Sequence, residues 1–279
     1  MKTFLLYFAL VLLSFGSSPV FAADENSGKE FRLAALIGDD ETILQLLDAE
    51  EIEVDDVNQF GKTALMMAVE GDHFTTVSLL LNRGANVNKV TVAGCTALTF
   101  AAENGHTGIM AMLLERGSFL ENRTRSGWNA LMIASQYGLE DVVEQLLFKG
   151  ADPNTIDQDN RTPLILAIVS GHGSVVPLLV KYGANIDFRD RDGASALLLA
   201  TAAGNDELVK LLIEQGSTVD LRDKDGISAL MEAISIESLS LVKLLLEQGA
   251  DPDQADDSGI SAREMAEKSG IPELGSLFN

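Results

Sequence analysis

The sequence predicts an all-α solenoid, a stack of helix-turn-helix repeats joined by turn or hairpin tips. Three columns of residues carry that prediction. Gly84, Gly117, Gly150, Gly183, Gly216 and Gly249 recur at a step of 33. Ala68, Ala101, Ala134, Ala167, Ala200 and Ala233 keep the same step, and so do Leu80, Leu113, Leu146, Leu179, Leu212 and Leu245. A fixed period held without insertion marks a repeat array, in which each unit buries its apolar face only against its neighbours. Composition agrees: 46% of the 279 residues are hydrophobic but only 6% aromatic, so the core is built from Leu, Ala, Val and Ile. Such small side chains suit tightly stacked short helices.

In chain order the first element, residues 1–22, is expected to be an export signal. Lys2 supplies a basic start and Phe4 to Leu13 an unbroken apolar run; Ser14, Gly16 and Pro19 then break it. Val20 and Ala22 suit peptidase cleavage after Ala22. The apolar run is too short to cross about 30 Å of hydrocarbon, so no membrane insertion is expected after cleavage. No Cys stands at the cleavage point for lipid attachment. A signal of this form points to the periplasm of a bacterium, or to secretion.

Residues 23–57 read as an N-terminal capping repeat. Leu33-Ala34-Ala35, Gly38, Ile43, Leu46 and Leu47 match a repeat shifted by one residue, and an acidic loop follows from Asp48 to Val57. Six full repeats follow at 58–90, 91–123, 124–156, 157–189, 190–222 and 223–255. In each, a turn glycine comes first (Gly61, Gly94, Gly127, Gly193, Gly226 and, beyond the sixth, Gly259), with Asn160 as the substitute that also tolerates the left-handed region. Two residues on, Thr63, Thr96, Thr162, Ser195, Ser228 and Ser261 can cap the first helix, and Pro163 takes the favoured first-turn position. The Ala column lets neighbouring helices approach, the Leu column fills the seam, and the Gly column stops the second helix with φ > 0. Pro177 falls inside a second helix. With Ser174 as N-cap it would sit at the third helical position, where no intrahelical N–H is lost, giving a slightly late start. Residues 256–279 form a C-terminal half-repeat in which Arg263 stands where Leu is expected.

The pattern of Gly94-Cys95-Thr96-Ala97-Leu98-Thr99-Phe100-Ala101-Ala102-Glu103-Asn104-Gly105-His106, and of Gly249-Ala250-Asp251-Pro252-Asp253, resembles the ankyrin repeat over about residues 28–279. One departure is systematic. The family's His after T-P-L is replaced by Met66, Thr99, Met132, Ile165, Leu198 and Met231. The resemblance implies that this His ties neighbouring loops, so here the tie is expected to be more apolar.

Chemistry is hard to find. His73, His106 and His172 share one slot and are not expected to converge on a metal, because stacked helices lie about 8–10 Å apart. Cys95, a lone thiol in a tip slot, is expected to be exposed and lacks an orienting partner for catalysis. Asp190-Arg191-Asp192-Gly193 and Asp223-Lys224-Asp225-Gly226 fail the calcium-loop pattern, since Phe188 and Leu221 stand where its first acid belongs. No enzyme activity and no cofactor are expected. The formal charge of −22 disfavours nucleic acid, whose phosphates demand clustered Lys and Arg.

The expected partner is therefore another protein, bound by a monomer. The ankyrin resemblance implies a concave groove contacted through the tips and the ends of the first helices. Those slots hold Phe60, Lys62, Cys95, Glu103, Arg125, Trp128, Gln136, Tyr137, Arg161, Arg191 and Lys224, with Val92 alongside. Trp, Tyr and Arg dominate interface energies, which centres the expectation on Trp128, the only Trp, with Arg125 and Tyr137 in the same repeat. The alternative is that Trp128 only stacks on a neighbouring tip. Arg123, Arg125, Arg161, Arg189, Arg191, Arg222 and Lys224 add a mixed-charge stripe near the tips. A periplasmic or envelope protein is the first candidate partner, and a host protein bound by a secreted effector the second.

Overall fold

A computed structural model describes residues 25–278, so the expected export signal and its cleavage point lie outside the described residues. Two rows of helices run through the array. The first-helix row comprises α1 (Glu25–Ile37), α3 (Ala64–Glu70), α5 (Ala97–Asn104), α7 (Ala130–Gln136), α9 (Pro163–Val169), α11 (Ala196–Ala202), α13 (Ala229–Ser235) and α15 (Ala262–Lys268). The second row comprises α2 (Asp40–Asp48), α4 (Phe74–Asn82), α6 (Thr107–Glu115), α8 (Glu140–Phe148), α10 (Val176–Lys181), α12 (Asp206–Glu214), α14 (Leu239–Glu247) and α16 (Pro272–Ser276). Helices pack on their partner within the repeat and on their counterparts before and after, least of all between α10 and α12.

The columns do what their residue types predict. Every member of the Ala and Leu columns is fully buried, at 0% exposure. Removing one such Leu side chain would cost about 2–5 kcal/mol. The first helices are capped by Thr63, Thr96, Thr162, Ser195, Ser228 and Ser261, each accepting the amide three residues on. Asn129 fills the one slot without a hydroxyl: its side-chain oxygen accepts the Met132 amide at 3.0 Å, and its amide donates to Glu121 at 2.9 Å. The Gly column is left-handed throughout, and Asn160 takes φ +57° in the turn-glycine slot.

Met66, Met132, Ile165, Leu198 and Met231, which replace the family's His, are all buried, so that position is indeed apolar. Thr99 is the exception and bonds locally to Thr96, closing a capping box. The loops are tied elsewhere. One polar side chain per repeat accepts a backbone amide from the loop that follows: Asp55 from Asn86, Asn88 from Phe119, Glu121 from Asp152, Asn154 from Asn185, Asp187 from Thr218 and Asp220 from Asp251, at 2.7–3.3 Å. Asp253 is next in this column. It pairs instead with Arg263, Nε to Oδ1 at 2.6 Å, and Arg263 also donates to the Phe278 carbonyl. The Arg in a Leu position is thereby explained: it closes the last loop and holds the C-terminal turn.

At the other end, α1 buries Phe31 and Ala35, and Arg32 pairs with Asp56. The one-residue shift is real but local. Gly38 and Glu50 take the positive φ that Asp72 and Gly84 take 34 residues later, whereas Asp55 is back in step with Asn88.

Pro177 departs from expectation in its cap. The helix does start late, at Val176, but Ser174 is not the N-cap. Ser174 lies in a 3-10 turn, Gly173–Val175, that precedes the helix, and Pro177 falls in the first helical turn. A proline there loses no helical bond, and the tighter turn absorbs the residues that would have been helix. Contact between second-row neighbours is thinnest at this point, between α10 and α12.

Between each pair of helices one residue must turn left-handed. Gly105, Gly138, Gly171 and Gly204 do so without strain, while Glu237 does so at φ +57°. Glu237→Gly should therefore raise stability by about 1 kcal/mol, read as a higher urea midpoint at unchanged m. Gly138→Ala should lower it, because a Cβ there would lie 2.6 Å from the His172 ring. A fall in the Glu237→Gly midpoint would remove the strain account.

Candidate protein interface

Each tip is organised by the residue that opens it. Asn58, Asp157, Asp190, Asp223 and Asp256 accept amides two and four residues on, at 2.8–3.0 Å. Thr91 and Thr124 accept only the later amide. Asp190 and Asp223 thus spend a carboxylate oxygen on their own turns, consistent with structural rather than calcium-binding carboxylates.

Successive tips are joined by a backbone bond. Val92 donates to the Phe60 carbonyl, Arg125 to Ala93, Arg191 to Asp159, Lys224 to Asp192 and Asp257 to Asp225, at 2.8–3.1 Å. Among the described residues one junction lacks this bond, that between the tips of 124–128 and 157–161. Side chains hold it instead. The Trp128 indole Nε1–H donates to Asp157 Oδ2 at 3.0 Å, Gln158 Nε2 donates to the Arg125 carbonyl at 2.7 Å, and Arg123 donates to Thr155 and to the Ile156 carbonyl. The junction is also wider. A Cβ at Gly127 would come no nearer than 3.3 Å to the next tip, against 3.0 Å at Gly61, Gly94 and Gly193 and 2.8 Å at Gly226.

Trp128 is half-buried in this junction, with the Arg161 guanidinium 5.8 Å from its ring centroid. Arg161 in turn donates Nε to Asp157 Oδ2 at 2.9 Å. The Asp157 side chain is 1% exposed. Burial alone would raise its pKa. The Arg161 amide, the Arg161 guanidinium, the Trp128 indole and the Asp159 amide outweigh that and hold it below the ordinary aspartate value.

The other predicted residues fall into three groups. Lys62 bonds Glu70 at 2.6 Å and sits 4.7 Å over the Phe100 ring, so tip and first-helix row share one face. Arg191 pairs with Asp159 at 3.1 Å. Phe60, Val92, Glu103, Arg125, Tyr137 and Lys224 are exposed, and no partner for the side chains of Arg125 or Lys224 is found among the described residues. Gln136 is half-buried with an unpaired amide oxygen. Cys95 is half-buried against the core rather than exposed, because its slot faces the first-helix row. The basic stripe is smaller than expected: Arg123, Arg189 and Arg222 donate to carbonyls of the following tip and act as staples.

His73 Nε2 lies 2.9 Å from the Leu36 carbonyl, and His106 Nδ1 lies 3.3 Å from Asp72. No group of His, Cys, Asp or Glu suited to a metal ion occurs among the described residues. Nor is any helix there long and apolar enough to cross a membrane. Asp157 and Gln158 are the site residues that sequence reasoning missed. Only their spacing of 29 and 30 residues from Trp128, just short of the repeat, hinted at contact.

A family model described as ankyrin repeats (3 copies) matches residues 31–124, 93–157, 119–190 and 182–256. The crystal structure of the human ASB11 ankyrin repeat domain is similar at a TM-score of 0.69 and 27% identity, over 80% of this chain and 98% of that one. No curated protein sequence matches.

Asp157→Asn tests the clamp. A depressed pKa contributes stability that is complete above the unfolded value, about 3.9, and is lost as pH falls through the folded value. At pH near 7 the variant should lose about 1–3 kcal/mol. Urea midpoints on acidification to about pH 3 should then fall further in the parent than in the variant. Equal acid sensitivity would show that Asp157 does not carry the effect.

Proposed function

The chain belongs to the ankyrin-repeat family, and we propose that it is a non-catalytic scaffold that captures another protein on the tip and first-helix face. Ankyrin repeats generally mediate protein–protein interaction, and the finer reading rests on one observation. The 128/157 junction is the place where tips are held by side chains rather than backbone, and exposed Arg125 and Tyr137 belong to the same repeat. A side-chain junction leaves the backbone groups of Ser126 and Gln158 free of the bond that the other tips spend on each other.

An export signal over residues 1–22 supports a periplasmic or envelope partner, with the array retained as a monomer after cleavage. Recovery in the medium or in a host cell, rather than in the periplasmic fraction, would point to the secreted-effector reading instead.

Trp128→Ala is a poor sole test, because loss of the indole bond to Asp157 would also cost about 1–3 kcal/mol of stability. Arg125→Glu and Tyr137→Ala alter exposed side chains only. Each should weaken capture of the envelope partner in pull-down by about tenfold or more while leaving the melting temperature unchanged. Undiminished capture by both variants would place the interface elsewhere.

A further inference from the structure

The second-helix row carries a groove that the tip-face reading does not use. It lies between α6 and α8, has a volume of about 510 Å³, and is shallow and largely open to solvent. Its floor is made by what is missing. At the position of Gly108 the other repeats carry Thr75, Asp141, Ser174, Glu207 and Ser240. Gly108 has an ordinary helical backbone, and a Cβ there would meet only the Phe74 ring edge, at 4.0 Å. Neither conformation nor crowding requires glycine, and glycine weakens a helix relative to alanine. What it does is keep the groove open, together with Ala111 one turn on.

The walls are aromatic and acidic. Phe148 is 74% exposed, the most exposed large apolar side chain among the described residues. Its counterparts in the other repeats are Asn82, Glu115, Lys181, Glu214 and Glu247, so an aromatic ring is out of character for that column. Tyr182 lies beside it, and Asp141 and Glu144 complete the lining. Asp141 has no ion-pair partner among the described residues, and Gln145, also in the lining, has a buried amide oxygen without a hydrogen-bond partner. The chain itself shows what such a wall holds: the Lys181 ammonium sits 3.6 Å from Glu144 and 5.3 Å from the Tyr182 ring centroid.

We propose that this groove docks a segment of a protein partner that presents an arginine or lysine beside an apolar side chain. Lys181 already serves Glu144 and Tyr182, so the cation lies between the unpaired Asp141 carboxylate, the Gln145 oxygen and the Phe148 ring, gaining both ion pairing and cation–π attraction. The apolar neighbour fills the floor at Gly108 and Ala111. A purely apolar occupant would strand Asp141 and the Gln145 oxygen without donors. A second copy of a chain with net charge −22 would be repelled.

The test uses the folded chain and a short fluorescein-labelled peptide with arginines at i and i+4 around a leucine, followed by anisotropy. Phe148→Ala and Gly108→Gln, the second filling the floor without disturbing the helix, should each weaken binding by about tenfold. Asp141→Asn with Glu144→Gln should weaken it and flatten its salt dependence. Glu214→Gln with Glu247→Gln removes the same charge elsewhere in the row and should leave affinity intact, as should Arg125→Glu on the tip face. The glutamate version of the peptide should not bind. Equal losses from the two acidic pairs would mean diffuse attraction to an acidic body and would overturn the proposal. So would binding indifferent to Phe148→Ala and Gly108→Gln, or a Phe148-dependent dimer of the chain itself.

Discussion

Everything in this array depends on a hydrogen bond that reaches from one repeat to the next. An isolated pair of helices six to nine residues long is marginal in water, since the nucleus of each helix is costly and one short helix buries little. Stacking solves this only if every repeat presents the same donors and acceptors at the same height. The loop column from Asp55 to Asp220 is that match at every 33-residue step, and the tip bonds from Val92 to Asp257 repeat it at every junction except that of Gln158. An insertion anywhere would put a carbonyl where an amide is needed. The one displacement tolerated, between Gly38 and Glu50, is cancelled before Asp55 is reached.

The same constraint explains why the junction of Trp128 stands apart. A tip that gives up its backbone bond must be held by something else, and the Trp128–Asp157–Arg161 clamp supplies it with a buried carboxylate satisfied from several sides. The clamp is more specific than a backbone bond and leaves the backbone groups at Ser126 and Gln158 unspent. Trp128 therefore has a structural role and a place in the proposed interface at once. The exposed residues of that proposed interface in the same repeat are Arg125 and Tyr137.

Much of the fold was legible because repeats turn local chemistry into columns. A hydroxyl two residues after a turn glycine, an alanine that must let a helix approach and a glycine that ends one can each be read from a single unit and checked against five others. Pairings between units were not legible. Whether residue 128 meets 157 or 161 depends on the small rotation from one repeat to the next, which no column encodes. Cys95 is half-buried because its slot faces the first-helix row, which a tip position does not announce, and a 3-10 turn is as good an answer to Pro177 as a Ser174 cap. Arg263 was noticed as an exception, yet its reason lay ten residues away at Asp253. Phe148 is legible in the sequence as the one aromatic in a polar column.

Amide hydrogen exchange on the folded chain tests the central claim most directly. The amides of Val92, Arg125, Arg191, Lys224 and Asp257, each bonded to the preceding tip, should exchange slowly, and the amide of Gln158 should exchange fast although its neighbours are ordered. A Gln158 amide as protected as the other five would contradict the account, because the tip ladder would then be unbroken and the Trp128 clamp would have nothing to replace.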